Sequence, residues 1–226
     1  MELFENDLFE TATTSQQPIA EGAMLLRQFL LADETNILTD LAAILAVSPL
    51  RNMTTPSGFT MSVAMTNCGD LGWVSDKKGY RYSALDPNTN APWQPMPASF
   101  LTLAKQAAEI AGYDNFVPDA CLINQYQLGA RMSLHQDKDE KDFSQPIVSV
   151  SLGCAAIFLF GGQKRSDKPA KIQLNHGDVI VWGGLSRLNY HGVMPLKAAN
   201  NQHNRQANNY LALDDYRFNL TFRKAG

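Results

Sequence analysis

The chain has 226 residues, of which 45% are hydrophobic and 18% are charged, and its formal net charge is −3. This composition predicts one globular domain, and the charge gives no support to non-specific binding to nucleic acid or anionic membranes. The three cysteines argue against a disulfide framework, and no apolar run reaches the ~20 residues of a membrane span. The acidic N-terminus also lacks the features of a signal peptide. We therefore expect a soluble, cytoplasmic, monomeric protein with reduced thiols.

The first half of the chain predicts one strand and two supporting helices. Residues 1–20 are polar and have no period, so we expect a poorly ordered start before a single domain over residues 21–226. Residues 23–30 predict a strand, and a helix follows with Asp33 as its N-cap. A second helix follows Ser99. Each helix has one apolar stripe, which predicts that it lies against a sheet.

Residues 51–92 have a different pattern from the segments that flank them. Residues 59–67 alternate between apolar and small polar side chains, which predicts a strand. Aromatic and basic residues then alternate with glycines: Trp73, Tyr80 and Tyr82 stand among Lys77, Lys78 and Arg81. This part could be a surface excursion whose rings pack on the core. Rings placed among cations are also how proteins hold unpaired bases.

Residues 117–226 predict about eight short strands in one uninterrupted block. The predicted strands are 121–127, 133–137, 146–152, 155–160, 171–175, 178–183, 187–194 and 216–223. Such a block favours a jelly roll or barrel over an α/β layer. Residues 198–209 are rich in Asn and Gln and predict a long surface loop.

His135 and Asp137 are two positions apart in predicted strand 133–137, so both side chains can bind one metal ion from the same face. A further histidine from a distant strand would complete two histidines and one carboxylate, with the opposite positions open. That ligand set is typical of non-haem Fe(II) and oxidative chemistry. The alternative is that His135 is a hydrogen-bonded structural residue. Three downstream histidines are candidates for the remaining ligand: His176, His191 and His203.

The last predicted strand has a polar face and an apolar face. Its polar face consists of Arg217, Asn219, Thr221 and Arg223. If that face points into the barrel, two buried arginines about 20 Å apart along the strand need anions, because a buried unpaired charge costs several kcal/mol. A ligand with two carboxylates would satisfy both guanidinium groups. The alternative is a solvated face with salt bridges to Asp or Glu.

Two other strands also have a polar face. Strand 121–127 places Asn124 and Tyr126 on one side, and strand 146–152 places Ser149 and Ser151 together. In a small barrel, several half-polar strands predict a lined cavity and not a filled core.

Several of these motifs together resemble the AlkB family of Fe(II)- and 2-oxoglutarate-dependent dioxygenases, in particular its bacterial repair enzymes. The resemblance covers about residues 22–197 and 215–226. The motifs are His135-Gln136-Asp137-Lys138-Asp139-Glu140, Pro146-Ile147-Val148-Ser149-Val150-Ser151-Leu152-Gly153, His176-Gly177-Asp178-Val179, Trp182-Gly183-Gly184, and Arg217-Phe218-Asn219-Leu220-Thr221-Phe222-Arg223, with Met61 to Gly69 and Gly72-Trp73 upstream. The segment between His191 and Arg217 is longer than is usual in that family.

The resemblance implies a mainly β fold with supporting helices (α+β), namely a double-stranded β-helix, or jelly roll, over residues 117–226. It implies that residues 51–92 form a nucleotide-recognition lid in front of this catalytic core. It also implies that iron is bound by His135, Asp137 and His191. 2-Oxoglutarate would be held by Arg217 and Arg223, with Asn124, Tyr126 and Asn219 assisting.

The resemblance also implies a set of substrate contacts. Trp73 and His135 would sandwich the target base, and Tyr80 would contact the nucleic acid backbone. Asp139 would lie near the base edge, and Arg165 would lie close to the substrate.

The implied reaction is oxidative dealkylation of N-alkylated bases, such as 1-methyladenine and 3-methylcytosine, in single- or double-stranded DNA, with RNA as a further candidate. It consumes O₂ and 2-oxoglutarate and releases succinate, carbon dioxide and formaldehyde. The alternatives are the same chemistry on RNA, tRNA or protein, a metal-binding jelly roll without redox chemistry, and a nucleic-acid-binding module. The paired arginines argue against the simple metal site, and the metal ligands argue against the pure binding module.

Overall fold

The computed structural model describes residues 15–197 and 211–226. Two α-helices, α1 (Glu34–Val47) and α2 (Ala98–Ile110), accompany a set of mostly short strands. The strands are β1 (Gln16–Ala20), β2 (Ala23–Leu26), β3 (Arg51–Thr54), β4 (Thr60–Gly69), β5 (Gly72–Asp76), β6 (Gly79–Ser83), β7 (Ala120–Tyr126), β8 (Met132–His135), β9 (Ile147–Gly153), β10 (Ala156–Phe160), β11 (Ala170–Leu174), β12 (Val179–Trp182), β13 (His191–Val193) and β14 (Arg217–Arg223). No helix in these two ranges is long and apolar enough to cross a membrane.

Two sheets form the jelly roll that the sequence predicts. The larger sheet has the order β1-β2-β12-β9-β14-β7-β4-β3, and the smaller one has the order β11-β10-β13-β8. Apolar side chains from both sheets meet in one cluster, in which Phe158 and Phe160 of β10 pack near Trp182 of β12. Because β14 lies between β9 and β7, it occupies an interior position of the larger sheet.

Both helices pack on the outer face of the larger sheet, as their apolar stripes predict. Phe100 of α2 contacts Phe222 of β14 edge to face, with ring centroids 5.8 Å apart. The surrounding cluster includes Leu41 of α1, which is fully buried. One face of β14 is therefore committed to this core, and its other face must point between the sheets.

The start of the chain differs from the prediction in two ways. Residues 16–20 are not poorly ordered, because they form β1 and pair with β2; residues 1–14 lie outside the described part. The predicted strand 23–30 ends at Leu26, and a 3₁₀ turn, Phe29–Asp33, follows. The chain turns there because the Asp178 carboxylate accepts the Gln28 N–H at 3.0 Å, and Gln28 adopts a left-handed conformation with φ of 57°.

The eight strands predicted after residue 117 are all present, with shifted ends. Predicted strand 133–137 stops at His135, and predicted strand 187–194 begins only at His191, after a 3₁₀ turn at Gly184–Ser186. The predicted surface loop 198–209 lies outside the described residues.

The predicted lid is divided between two sheets. Its first strands, β3 and β4, belong to the larger sheet, whereas β5 and β6 form a separate two-stranded hairpin. We call residues 72–83 the recognition hairpin. The assignment of residues 51–92 as a lid remains a prediction.

Candidate metal and 2-oxoglutarate site

Three side chains that could bind one metal ion meet at the edge of the smaller sheet. One ligand atom from each of His135, Asp137 and His191 lies within 4.8 Å of the others. Each of the two Nε2 atoms lies 3.6 Å from an oxygen of the Asp137 carboxylate. His135 and His191 are directly opposite partners on β8 and β13, so sheet pairing fixes their separation. The sequence left three histidines open, and the structure brings only His191 to this cluster among the described residues.

Of the other two histidine candidates, only His176 is described, and it lies outside this cluster. His176 is buried elsewhere, where its Nδ1 accepts the Gly153 N–H at 2.9 Å and its Nε2 lies 2.8 Å from Glu34 Oε1. His203 lies outside the described residues. The position of His176 between a loop and α1 indicates a structural role.

Backbone carbonyls orient both histidine rings toward the shared centre. The Nδ1 atom of His135 lies 2.8 Å from the Ser133 carbonyl, and that of His191 lies 3.0 Å from the Asn189 carbonyl. An Nδ1–H that donates to a carbonyl leaves Nε2 as the free lone pair, which is the usual arrangement of a metal-binding histidine. Both rings are therefore oriented for ligation before any metal binds.

The protonation states also suit a metal. Desolvation lowers the pKa of His135 to about 4, and the neighbouring His191 acts in the same direction. For Asp137, desolvation alone would raise the pKa, but Arg223 and the two histidines outweigh it and hold the pKa well below its usual range. At neutral pH His135 is therefore neutral and Asp137 is ionised, as ligands must be.

The polar face of β14 points inward, and both of its arginines are buried. Arg223 donates to Asp137 Oδ2 at 2.7 Å. Arg217, with only 1% of its surface exposed, donates to Ser151 Oγ at 2.9 Å, while its Nε and Nη1 have no partner among the described residues. A buried guanidinium with unmet donors is costly unless an anion completes it. The alternative of a solvated face is wrong because both arginines are buried, although Arg223 does form the salt bridges to Asp and Glu that this alternative predicted.

One cavity of about 360 Å³ joins these groups. Every residue predicted from the sequence for the metal, 2-oxoglutarate or the substrate lines it, except Arg217, which is the direct strand partner of the lining residue Tyr126. The lining members of that set are Trp73, Tyr80, Asn124, Tyr126, His135, Asp137, Asp139, Arg165, His191, Asn219 and Arg223. The sequence thus predicted the composition of the cavity, although the role of each residue remains a prediction.

The residues predicted to assist 2-oxoglutarate follow from the pairing of β7 with β14. Asn124 is the direct partner of Asn219, and Tyr126 is the direct partner of Arg217. The Oδ1 atom of Asn124 is buried without a partner in the described structure, whereas Asn219 donates to Ser149 Oγ at 2.8 Å. Burial raises the pKa of Tyr126 to about 12, so its hydroxyl stays protonated and can donate. These groups offer both donors and acceptors to a ligand.

The mouth of the cavity is formed by the recognition hairpin and the loop after His135. Trp73 stacks on Tyr80 with centroids 5.6 Å apart and an interplanar angle of 13°. The indole Nε1–H of Trp73 donates to Asp139 Oδ2 at 2.8 Å. Arg165 lies over the ring of Tyr190, 5.9 Å from its centroid. Aromatic faces and one carboxylate therefore stand together at the entrance.

A buried ionic network that the sequence did not predict lies beneath this mouth. Glu140 has 2% of its side chain exposed and accepts from Tyr82 Oη at 2.7 Å and from Arg187 Nη2 at 3.1 Å. Its Oε1 also lies 3.2 Å from Arg223 Nε. Arg187 in turn donates to the Asp137 carbonyl at 2.8 Å. The charged run that contains Glu140 is typical of a solvated loop, so its spacing gave no signal for this role.

Comparison with known proteins agrees with this geometry. Residues 22–223 match the family model of the 2OG-Fe(II) oxygenase superfamily. The chain is 54% identical to the alpha-ketoglutarate-dependent dioxygenase AlkB of Escherichia coli strain K12, over 97% of this chain and 98% of that protein. It is 52% identical to the enzyme of the same name from Salmonella typhimurium, over 97% of both chains. The solved structure of OsALKBH1 superposes with a TM-score of 0.76 at 30% identity, and covers 93% of this chain and 100% of that one.

The separate positions of His191 and His176 give a prediction for the metal site. Replacing His191 by Ala removes a ligand, so Mn(II) affinity should fall by more than the ~10- to 100-fold that follows loss of a supporting hydrogen bond. His176→Gln is the matched control, since it alters an equally buried histidine outside the cluster, and we expect its Mn(II) affinity to stay near that of the wild type. Isothermal titration calorimetry measures both. An unchanged Mn(II) affinity in His191→Ala would exclude His191 as a ligand.

Proposed function

Because the chain belongs to the AlkB family within the 2OG-Fe(II) oxygenase superfamily, we propose that it repairs nucleic acid by oxidative removal of N-alkyl groups from bases such as 1-methyladenine and 3-methylcytosine. It is an Fe(II)- and 2-oxoglutarate-dependent dioxygenase. The substrate is alkylated DNA, single- or double-stranded, with RNA as a second candidate. The enzyme acts as a monomer in the cytoplasm.

The observation that carries this proposal is the unmet hydrogen-bonding capacity of Arg217. Its Nε and Nη1 atoms are buried without partners in the described structure, on the same strand face as Arg223. A guanidinium binds a carboxylate with two parallel hydrogen bonds. A dicarboxylate that reaches from Arg217 toward Arg223 and the metal ligands fits this arrangement, which a simple metal-binding protein would not need.

In this proposal each group of the chain has a defined task. His135, Asp137 and His191 hold iron, which with 2-oxoglutarate and O₂ supplies the oxidant for the N-alkyl carbon. Arg217 binds one carboxylate of 2-oxoglutarate and Arg223 orients the other. The hydrogen-bonding groups of Asn124, Tyr126 and Asn219 fix the ligand between them. The two sheets exclude bulk water from this site.

The cavity mouth suits a flipped, positively charged base. The base must leave its helix to reach the iron, and a damaged base that pairs badly costs less to extract. In the proposed pose it lies between Trp73 and His135, while Tyr80 and Arg165 contact the backbone. A ring-methylated adenine or cytosine is cationic, so stacking on the indole gains about 0.5–2 kcal/mol. The Asp139 carboxylate beside Trp73 favours the same cation.

Further phosphate contacts come from the exposed tip of the recognition hairpin. Lys77 and Lys78 stand at this turn. Arg81, the third basic residue of this segment, forms a salt bridge with Asp76 at 2.8 Å, and this neutralises its charge. We therefore assign backbone binding to the two lysines and Arg165 ahead of Arg81.

The direct test of the proposal is release of formaldehyde from an oligonucleotide that contains 3-methylcytosine. We expect formaldehyde only when Fe(II), 2-oxoglutarate and O₂ are all present, with matching succinate. The same assay on alkylated RNA compares the two polymers. If neither DNA nor RNA yields formaldehyde, the repair proposal fails, and turnover of tRNA or protein becomes the next candidate.

A second prediction concerns charge discrimination by Asp139. Replacing Asp139 by Ala should lower kcat/KM for cationic 3-methylcytosine at least about tenfold more than for neutral 3-methylthymine, because a charge-assisted hydrogen bond contributes ~1.5–3 kcal/mol. Because Asp139 is exposed, stability should change little.

The control for this prediction is Asp142→Ala, which removes a carboxylate from the same loop outside the cavity. Its ratio of kcat/KM on the two lesions should match that of the wild type. Equal losses on both lesions in Asp139→Ala would show that Asp139 does not read the charge of the base.

A further inference from the structure

In the described structure, no backbone strand pairing joins the recognition hairpin to the two larger sheets, yet the hairpin carries the residues proposed to hold the base. At its first strand, Asn67 fixes the backbone of Trp73 through two hydrogen bonds of 3.0 Å. Ser75 Oγ also donates to the Thr54 carbonyl at 2.6 Å. The second strand, β6, pairs with β5 along its length, and the Tyr82 hydroxyl and the Ser83 carbonyl connect it to residues outside the hairpin.

Tyr82 is the side chain that ties β6 to the floor of the site. Its hydroxyl donates to Glu140 Oε1 at 2.7 Å, across 58 positions of sequence. Burial raises the pKa of Tyr82 well above its usual value, although Arg223 opposes this, so the hydroxyl stays protonated and donates. Tyr80, which stacks on Trp73, is two residues away on the same strand. A shift at Tyr82 is therefore transmitted to the rings at the mouth.

Glu140 connects this hydrogen bond to the metal ligands. It contacts Arg223 and Arg187, and these two arginines bind the carboxylate and the carbonyl of Asp137. The two arginines balance the two carboxylates, so the described network is electrically neutral. When a metal and a dicarboxylate engage Asp137 and Arg223, Glu140 remains as the partner that holds both guanidinium groups. Three contacts thus lead from the hairpin to the iron ligand.

We propose that Tyr82 and Glu140 are positioning residues that set the recognition hairpin over the metal centre, and so couple the binding of the base to the state of the iron site. This inference rests on the proposed function, since it assigns the hairpin to the alkylated base. Both residues line the cavity, but neither belongs to the proposed metal ligands or 2-oxoglutarate contacts. Their effect is to place Trp73 and Tyr80 at a fixed height above His135, which determines how well the alkyl carbon meets the oxidant.

The test uses Tyr82→Phe, which removes one hydroxyl and keeps the buried ring. The matched control is Tyr113→Phe, which removes a hydroxyl that donates to the Gly22 carbonyl at 2.7 Å, away from the cavity. The first measurement is hydrogen exchange in the anaerobic protein loaded with Fe(II) and 2-oxoglutarate. We expect faster exchange over residues 79–83 in Tyr82→Phe and wild-type exchange there in Tyr113→Phe.

Kinetics supply the second measurement on the same variants. In Tyr82→Phe the KM for the 3-methylcytosine oligonucleotide should rise about tenfold, as for the loss of one hydrogen bond to a charged group. Succinate formed per formaldehyde should also rise, because a misplaced base leaves the oxidant unused. The affinity for 2-oxoglutarate, followed by anaerobic absorbance, should stay unchanged. If Tyr82 only stabilised the fold, KM, the ratio of succinate to formaldehyde and the affinity for 2-oxoglutarate would all change together.

A second variant, Glu140→Gln, separates the effect of Glu140 on the hairpin from its effect on the two arginines. Its amide oxygen still accepts the Tyr82 hydroxyl, so exchange of the hairpin should stay slow, whereas 2-oxoglutarate affinity should fall about tenfold because both arginines lose an anion. The inference is overturned if Tyr82→Phe matches the wild type in hairpin exchange and in KM, or if Tyr113→Phe reproduces its effects. If the wild type releases no formaldehyde, the proposed function fails, while the exchange data still decide whether Tyr82 and Glu140 hold the hairpin.

Discussion

The constraint on which the site depends is the burial of two arginines on one face of an interior strand. The opposite face of β14 carries Phe218, Leu220 and Phe222, which are committed to the core beneath the helices. Strand geometry then forces Arg217 and Arg223 into the space between the sheets. Charges in such a place need partners. Asp137 and Glu140 form salt bridges with Arg223, whereas two donor nitrogens of Arg217 have no partner among the residues that the structure describes. An anionic ligand would satisfy these nitrogens.

Strand pairing then places the candidate metal-binding side chains beside that anion site. His135 ends β8 and His191 begins β13, and their direct pairing sets the rings 4.4 Å apart between centroids. Asp137 follows β8 and is held by Arg223, so the same arginine that would orient 2-oxoglutarate also fixes a metal ligand. Under the proposed function, one guanidinium would therefore couple metal binding to co-substrate binding. Tyr82 of the recognition hairpin contacts Glu140, which contacts Arg223, and through these contacts the coupling would extend to the base in the proposed function.

Much of this arrangement could be predicted from the sequence because it depends on the alternation of polar and apolar residues within single strands. Alternation in β14 placed both arginines on one face, and the pair His135 and Asp137 was visible two positions apart. Other features depend on partners far along the chain. The strand predicted over residues 23–30 stops early because Asp178 captures the Gln28 N–H from 150 positions away. From sequence alone Glu140 resembles a solvated loop residue. In the structure it is buried and accepts a hydrogen bond from Arg187, 47 positions later. No local pattern encodes such contacts.

The most direct test of the account is an anaerobic titration of the Fe(II)-loaded protein with 2-oxoglutarate, followed by visible absorbance. We expect the absorbance band of the wild type to saturate as 2-oxoglutarate is added. The Arg217→Met variant should need at least about tenfold more 2-oxoglutarate for the same absorbance, since a charge-assisted pair is lost. Arg27→Met, which removes an arginine paired with Asp178 outside the cavity, should titrate like the wild type. Wild-type affinity in Arg217→Met would contradict the claim that the buried arginine of β14 is completed by the co-substrate.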